Sequence, residues 1–175
     1  MSWQVITYRL PAEPSRHRVA VWRELRRLGA VALQQGTWAL PDGEPFAAGC
    51  TQVVEAIRAA GGQPVVLAVA DEQASADQLE ALFTAQREAE WREFLSDCGK
   101  YETELASEVA KGKLTLAELD EEEQSLDRLR RWFRAVKARD LFGAPSAPAA
   151  ERRLKECSAA LEDFAEQVYQ ARGRP

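Results

Sequence analysis

The chain has 175 residues, with 23 Lys+Arg against 28 Asp+Glu, one His and three Cys, a formal net charge of −5 and a pI near 5.1. At 46% hydrophobic and 29% charged it has enough apolar content for one or two packed domains, which excludes a disordered polymer. No run approaches the roughly 20 apolar residues that span a bilayer, Met1-Ser2-Trp3 carries no basic leader, and cysteines at 50, 98 and 157 form no CxxC pair, so a cytoplasmic protein with free thiols is expected.

Charge and composition change along the chain. Through residue 70 there are seven arginines against five carboxylates; the remainder carries the whole acidic excess and is rich in Ala, Glu, Leu and Arg. Two domains are expected, residues 1–71 and 72–175.

In the first, Trp3 to Arg9 alternates and reads as a strand ended by Leu10-Pro11. Pro14 and Ser15 suit a helix start; Val21, Trp22, Leu25 and Leu28 make its apolar stripe, and Gly29 closes it. Val31 to Gln34 and Thr37 to Leu40, joined through Gln35-Gly36, read as a hairpin. A second helix runs to Ala60, weakened at its centre by Gly49, and Pro64 to Ala70 is apolar enough to predict a central strand. The order β-α-β-β-α-β predicts an α+β, ferredoxin-like sheet with both helices on one face.

In the second domain, Leu79, Leu82, Phe83, Trp91, Phe94, Cys98, Tyr101 and Leu105 recur at helical steps from about Ala74 to Lys111. Leu114-Thr115-Leu116-Ala117-Glu118-Leu119 reads as a capping box opening another helix, whose seam is Leu119, Leu126, Leu129, Phe133 and Val136. After a Pro-containing link, Leu154, Cys157, Leu161, Phe164 and Val168 define a third. An antiparallel three-helix segment is predicted.

No P-loop, GxGxxG, HExxH or GxSxG is present, so no catalytic residue, cofactor or metal site is assigned and a non-enzyme is expected. His17 lies between Arg16 and Arg18 and reads as a surface or phosphate-contacting residue. The carboxylates Glu118, Asp120, Glu121, Glu122 and Glu123 fall in the first turns of a helix, where the macrodipole favours them over a hard-metal reading. Cys98 and Cys157 fall on apolar seams and could face each other, although inert buried thiols are the simpler reading.

Arginine is the informative residue. Arg16, Arg18, Arg23, Arg26 and Arg27 cluster on the first helix, and Arg128, Arg130, Arg131, Arg134 and Lys137 on the one after Thr115. Guanidinium forks suit phosphate, so these ten residues are the candidate nucleic-acid contacts; pairing of the second cluster with Glu102, Glu104 or Glu108 is the competing reading. By spacing the five tryptophans read mostly as core, with Trp132 kept as a contact residue.

Several stretches resemble a known family. Tyr8-Arg9-Leu10-Pro11, Arg18 with Val21-Trp22-Arg23, Leu28-Gly29-Ala30-Val31-Ala32-Leu33, Gly36-Thr37-Trp38 and Leu40-Pro41 resemble the opening of the N-terminal domain of the chromate-resistance protein ChrB. Leu129-Arg130-Arg131-Trp132-Phe133, Ala138-Arg139-Asp140, Phe142-Gly143-Ala144-Pro145 and Leu161-Glu162-Asp163-Phe164-Ala165 with Val168-Tyr169 are similar to its later part. The resemblance implies a regulator of chromate-resistance genes that binds double-stranded promoter DNA and responds to chromate; such proteins usually continue into a second domain. The first half is also similar to the ferredoxin-like segment of PaaX-type repressors and, remotely, to small CRISPR-associated nucleases. Those nucleases use an aspartate at the end of strand one, where this chain has Tyr8-Arg9-Leu10, so hydrolysis is not expected. Two alternatives accompany the regulator: an oxyanion-binding or thiol redox protein, and a non-catalytic interaction module that docks a partner or a second copy of itself.

Overall fold

In a computed structural model, residues 2–70 and 72–173 are described, so residue 71 of the expected domain boundary lies outside them. The elements run β1 (Trp3–Arg9), α1 (Ser15–Leu28), β2 (Val31–Gln34), β3 (Thr37–Pro41), α2 (Ala47–Ala59), β4 (Gln63–Ala68), α3 (Gln73–Ala110), α4 (Leu116–Lys137) and α5 (Ala147–Arg172). They form two compact units, Met1–Gln86 and Arg87–Pro175. The units therefore divide inside α3 and not after β4. The physical reason is Phe83, which stacks edge-on against Trp3 and Phe46 at 5.8 and 5.9 Å between ring centroids and anchors the start of α3 in the first unit.

The first unit is the expected βαββαβ sheet, with strand order β2-β3-β1-β4 and every pairing antiparallel. Ile6, Trp38 and Leu40 face one way by register, and Val21, Leu25, Val53 and Ile57 are buried with them. Helix α1 packs on α2 where Gly49 sits. A Cβ there would collide with the Leu28 side chain, so the glycine that weakens α2 on propensity is what permits close helix contact. At the β2–β3 turn Gly36 has φ +73° and its carbonyl accepts the Tyr8 N–H at 2.8 Å, so the hairpin residue also ties the turn to β1.

Two expectations fail in this unit. Strand β4 is an edge strand: it pairs only with β1, and Val65, Val66 and Leu67 are exposed. Val69 donates to the Trp3 carbonyl, so by alternation it is Pro64, Val66 and Ala68 whose backbone groups point outward. Proline on that outward row costs no ladder bond, which is the signature of an edge and outweighs the apolar composition. Trp22 is the other exception. It is 48% exposed and lies off the stripe that buries Val21 and Leu25.

The second unit is an up-down-up bundle. Tyr101 hydroxyl donates to the Glu122 carbonyl and Trp91 Nε1 to Asp140, so α4 runs against α3. Glu88 with Ser146 and Cys98 with Cys157 show that α5 runs along α3 in the same direction. The core is Trp91, Phe94, Cys98, Tyr101, Leu105, Leu126, Phe133, Val136, Cys157, Leu161, Phe164 and Val168. Leu82, expected on the α3 seam, is exposed. Thr115 caps α4 by accepting the Glu118 N–H at 3.2 Å, while the Glu118 carboxylate takes Lys113 at 3.3 Å. Among the described residues, no helix is long and apolar enough to cross a membrane.

Candidate nucleic-acid interface

The sequence that builds α1 also decides where its charges go. Val21 and Leu25 are buried, and the exposed face of the same helix carries Arg16, Arg18, Arg23, Arg26 and Arg27. Arg18, Trp22 and Arg26 fall at i, i+4 and i+8, one row of that face. The Arg26 guanidinium carbon lies 5.6 Å from the Trp22 ring centroid, a cation–π stack at the surface. Arg27 pairs with Glu24 at 2.7 Å. Among the described residues, no carboxylate lies within ion-pair distance of Arg16, Arg18, Arg23 or Arg26. Four guanidiniums without an ion-pair partner among the described residues, one of them stacked on an exposed indole, make a local cationic surface on an anionic protein. His17 is half-buried beside them, its N–H bonded to the Pro14 carbonyl.

The α4 cluster separates into two kinds of residue. Arg128 donates to Ser125 at 2.9 Å, Arg130 pairs with Asp127 at 3.2 Å and reaches Ser158, and Lys137 lies 3.9 Å from Glu151 and over the Phe133 ring. Arg131 and Arg134 are exposed and have no carboxylate within ion-pair distance among the described residues. The expected competition from Glu102, Glu104 and Glu108 does not occur: Glu102 is held by Arg153 at 2.6 Å and Glu108 by Lys111 and Lys113, each at 3.0 Å. Trp132 is half-buried with its ring edge-on to Phe94 at 5.5 Å, so it is largely a core residue. The exposed tryptophan is Trp22. Its stripe position hid it, although its arginine neighbours at 18 and 26 were a readable signal.

Other charges serve the bundle. Arg87 is fully buried; its Nε lies 3.0 Å from Glu90, which also takes Arg139 at 2.9 Å. Asp140 accepts both the Trp91 indole N–H at 2.8 Å and the Ala144 N–H, and Glu88 accepts the Ser146 hydroxyl and N–H. Those bonds hold the Glu88 carboxyl below its ordinary range. Arg139 is thereby withdrawn from the basic surface. Glu122, read as one of the carboxylates favoured by the macrodipole in the first turns of α4, is 4% exposed, and burial, reinforced by Glu104, Glu108, Glu118 and Glu121, pushes its carboxyl up to about 7. Burial likewise raises the Tyr101 hydroxyl.

Fold and surface together define an α+β protein whose sheet unit presents an arginine-rich outer helix and whose second unit is a three-helix bundle. The family model described as "Protein ChrB, N-terminal" matches residues 18–175, and the chain belongs to that family. It is similar to "Protein ChrB" of Cupriavidus metallidurans, 27% identical over 163 residues, an alignment covering 92% of this chain and 47% of that protein. The chain thus spans about half the length of the curated relative it matches.

Proposed function

We propose that this chain is a non-catalytic, double-stranded-DNA-binding module of a chromate-resistance transcriptional regulator acting in the cytoplasm. Family membership supports the chromate-resistance setting. The observation that carries DNA binding is the exposed face of α1, where Arg16, Arg18, Arg23 and Arg26 have no ion-pair partner among the described residues and Arg26 stacks on the exposed Trp22. Phosphate recognition is local, so a net charge of −5 is compatible with it, and binding of this kind weakens steeply with salt. Arg131 and Arg134 of α4 are the second set of phosphate-binding residues in this reading; Arg128, Arg130 and Lys137, already partnered, contribute less.

The test is fluorescence anisotropy with the protein's own upstream DNA across a salt series. Combined substitution of Arg18, Arg23 and Arg26 by alanine is expected to weaken binding at least tenfold. The slope of log affinity against log salt is expected to flatten by about 0.9 for each phosphate that is no longer neutralised. Unchanged affinity and slope would remove α1 as the binding surface. Chromate is the effector in this reading, and calorimetric titration with chromate against sulfate, with and without DNA, tests whether it acts on this chain. No heat and no change in DNA affinity would place the sensor elsewhere.

A further inference from the structure

Cys98 on α3 and Cys157 on α5 are 59 residues apart in sequence, and the bundle brings them together in its core, both fully buried. Cys157 Sγ lies 3.8 Å from the Cys98 carbonyl oxygen and 3.8 Å from Glu102 Oε1. Glu102, one turn after Cys98, is paired at 2.6 Å with Arg153, one turn before Cys157, so a partly exposed ion pair borders the thiols. Cys50 belongs to the first unit, where it donates to Gln4.

We propose that Cys98 and Cys157 are a redox-active dithiol that closes to a reversible intramolecular disulfide when the protein meets a small neutral two-electron oxidant of the hydroperoxide class. Proximity supplies the pair and the surroundings assign the roles. The neighbouring Cys157 thiol brings Cys98 below the ordinary thiol range. Cys98, together with burial and the adjacent Glu102 carboxylate, holds Cys157 above it. Cys157, whose sulfur lies within reach of the Glu102 carboxylate as proton acceptor, is the resolving sulfur, and Cys98 the attacking one.

In the first step Cys98 sulfur attacks a peroxide oxygen: an S–O bond forms, the O–O bond breaks, and the departing alkoxide or hydroxide takes up a proton to leave as an alcohol or water. In the second, Cys157 gives its proton up, with Glu102 as the adjacent acceptor, and attacks the Cys98 sulfenic acid. The S–S bond forms and the S–O bond breaks, and the hydroxide leaves as water with the released proton. Two thiols lose two electrons and the peroxide gains two. A neutral oxidant is specified because a buried site beside the Glu102 carboxylate penalises entry of an anion.

The experiment exposes the reduced full chain, under native conditions, to a few equivalents of hydrogen peroxide, blocks remaining thiols with N-ethylmaleimide and maps tryptic peptides by mass. The expected product is peptide 93–100 cross-linked to peptide 156–172, lighter by two hydrogens, with Cys50 alkylated and the bond reversed by dithiothreitol. In Cys157→Ser, dimedone is expected to label Cys98; in Cys98→Ser, Cys157 is expected to stay unlabelled. The wild-type map decides the matter even if a serine variant does not fold. Recovery of Cys98 and Cys157 as alkylated thiols, or of bridges only through Cys50 or between chains, overturns the proposal.

Discussion

The Arg26 guanidinium stacks on the Trp22 indole, 5.6 Å from the ring centroid, on the outward face of α1. An apolar ring half exposed beside charges it does not neutralise contributes little to folding, because its area stays wet in both states. Trp22→Ala is accordingly expected to shift unfolding free energy by no more than about 0.5 kcal/mol. The same change is expected to weaken DNA binding three- to tenfold, since it removes an apolar surface and the platform that orients Arg26. Chemical denaturation and anisotropy on the same preparation check both halves. A large loss of stability would mean that Trp22 is a core residue after all.

Glu122 gives a pH dependence whose sign is fixed by burial. Its carboxyl is raised to about 7 in the folded bundle against an unfolded value near 4.3. Between those values the folded chain holds a proton that the unfolded chain has released, so stability from this group is fully present below the unfolded value and falls as pH rises. The slope is at most about 1.4 kcal/mol per pH unit, flattening above pH 7. Glu122→Gln keeps the shape and removes the charge. Relative to wild type it is expected to gain stability from pH 5 to 7 and to remain more stable at pH 8. Parallel curves for the two proteins in urea titrations over that range would contradict the assignment.

Gly36 sits where a side chain has neither the backbone conformation nor the room. With φ +73°, an added Cβ would fall 2.5 Å from the Tyr8 carbonyl oxygen. Gly36→Ala is expected to cost about 2 kcal/mol or more, combining left-handed strain with displacement of the turn from β1. The unfolding midpoint of the variant measures it. Gly43, also at positive φ but facing open space, provides the comparison and is expected to lose less on the same substitution.

Much of the fold was legible because local chemistry and tertiary demand agree. Alternation along β1, the glycine at the β2–β3 turn, the Thr115 cap and the heptad-like spacing of α5 each specify a local conformation that packing then uses. The arginine clusters were legible as composition on helices. Asp127 reaches Arg130 along α4 itself, but only in the bundle do Ser158 and Glu151 come near Arg130 and Lys137, while among the described residues Arg131 and Arg134 meet no carboxylate.

Periodicity identifies a face but not what lies against it. Three- and four-residue spacing placed Trp22 on a core stripe that in the folded unit ends just short of it, and position in the first helical turns grouped Glu122 with its acidic neighbours without showing that it is buried. An apolar run predicted β4 to be central; the pairing partners, which no local pattern encodes, made it an edge. The meeting of Cys98 with Cys157 belongs to the same class. Residue identities and helical register come from the chain itself, whereas the approach of two helices separated by 59 residues depends on long-range packing of a shared apolar core.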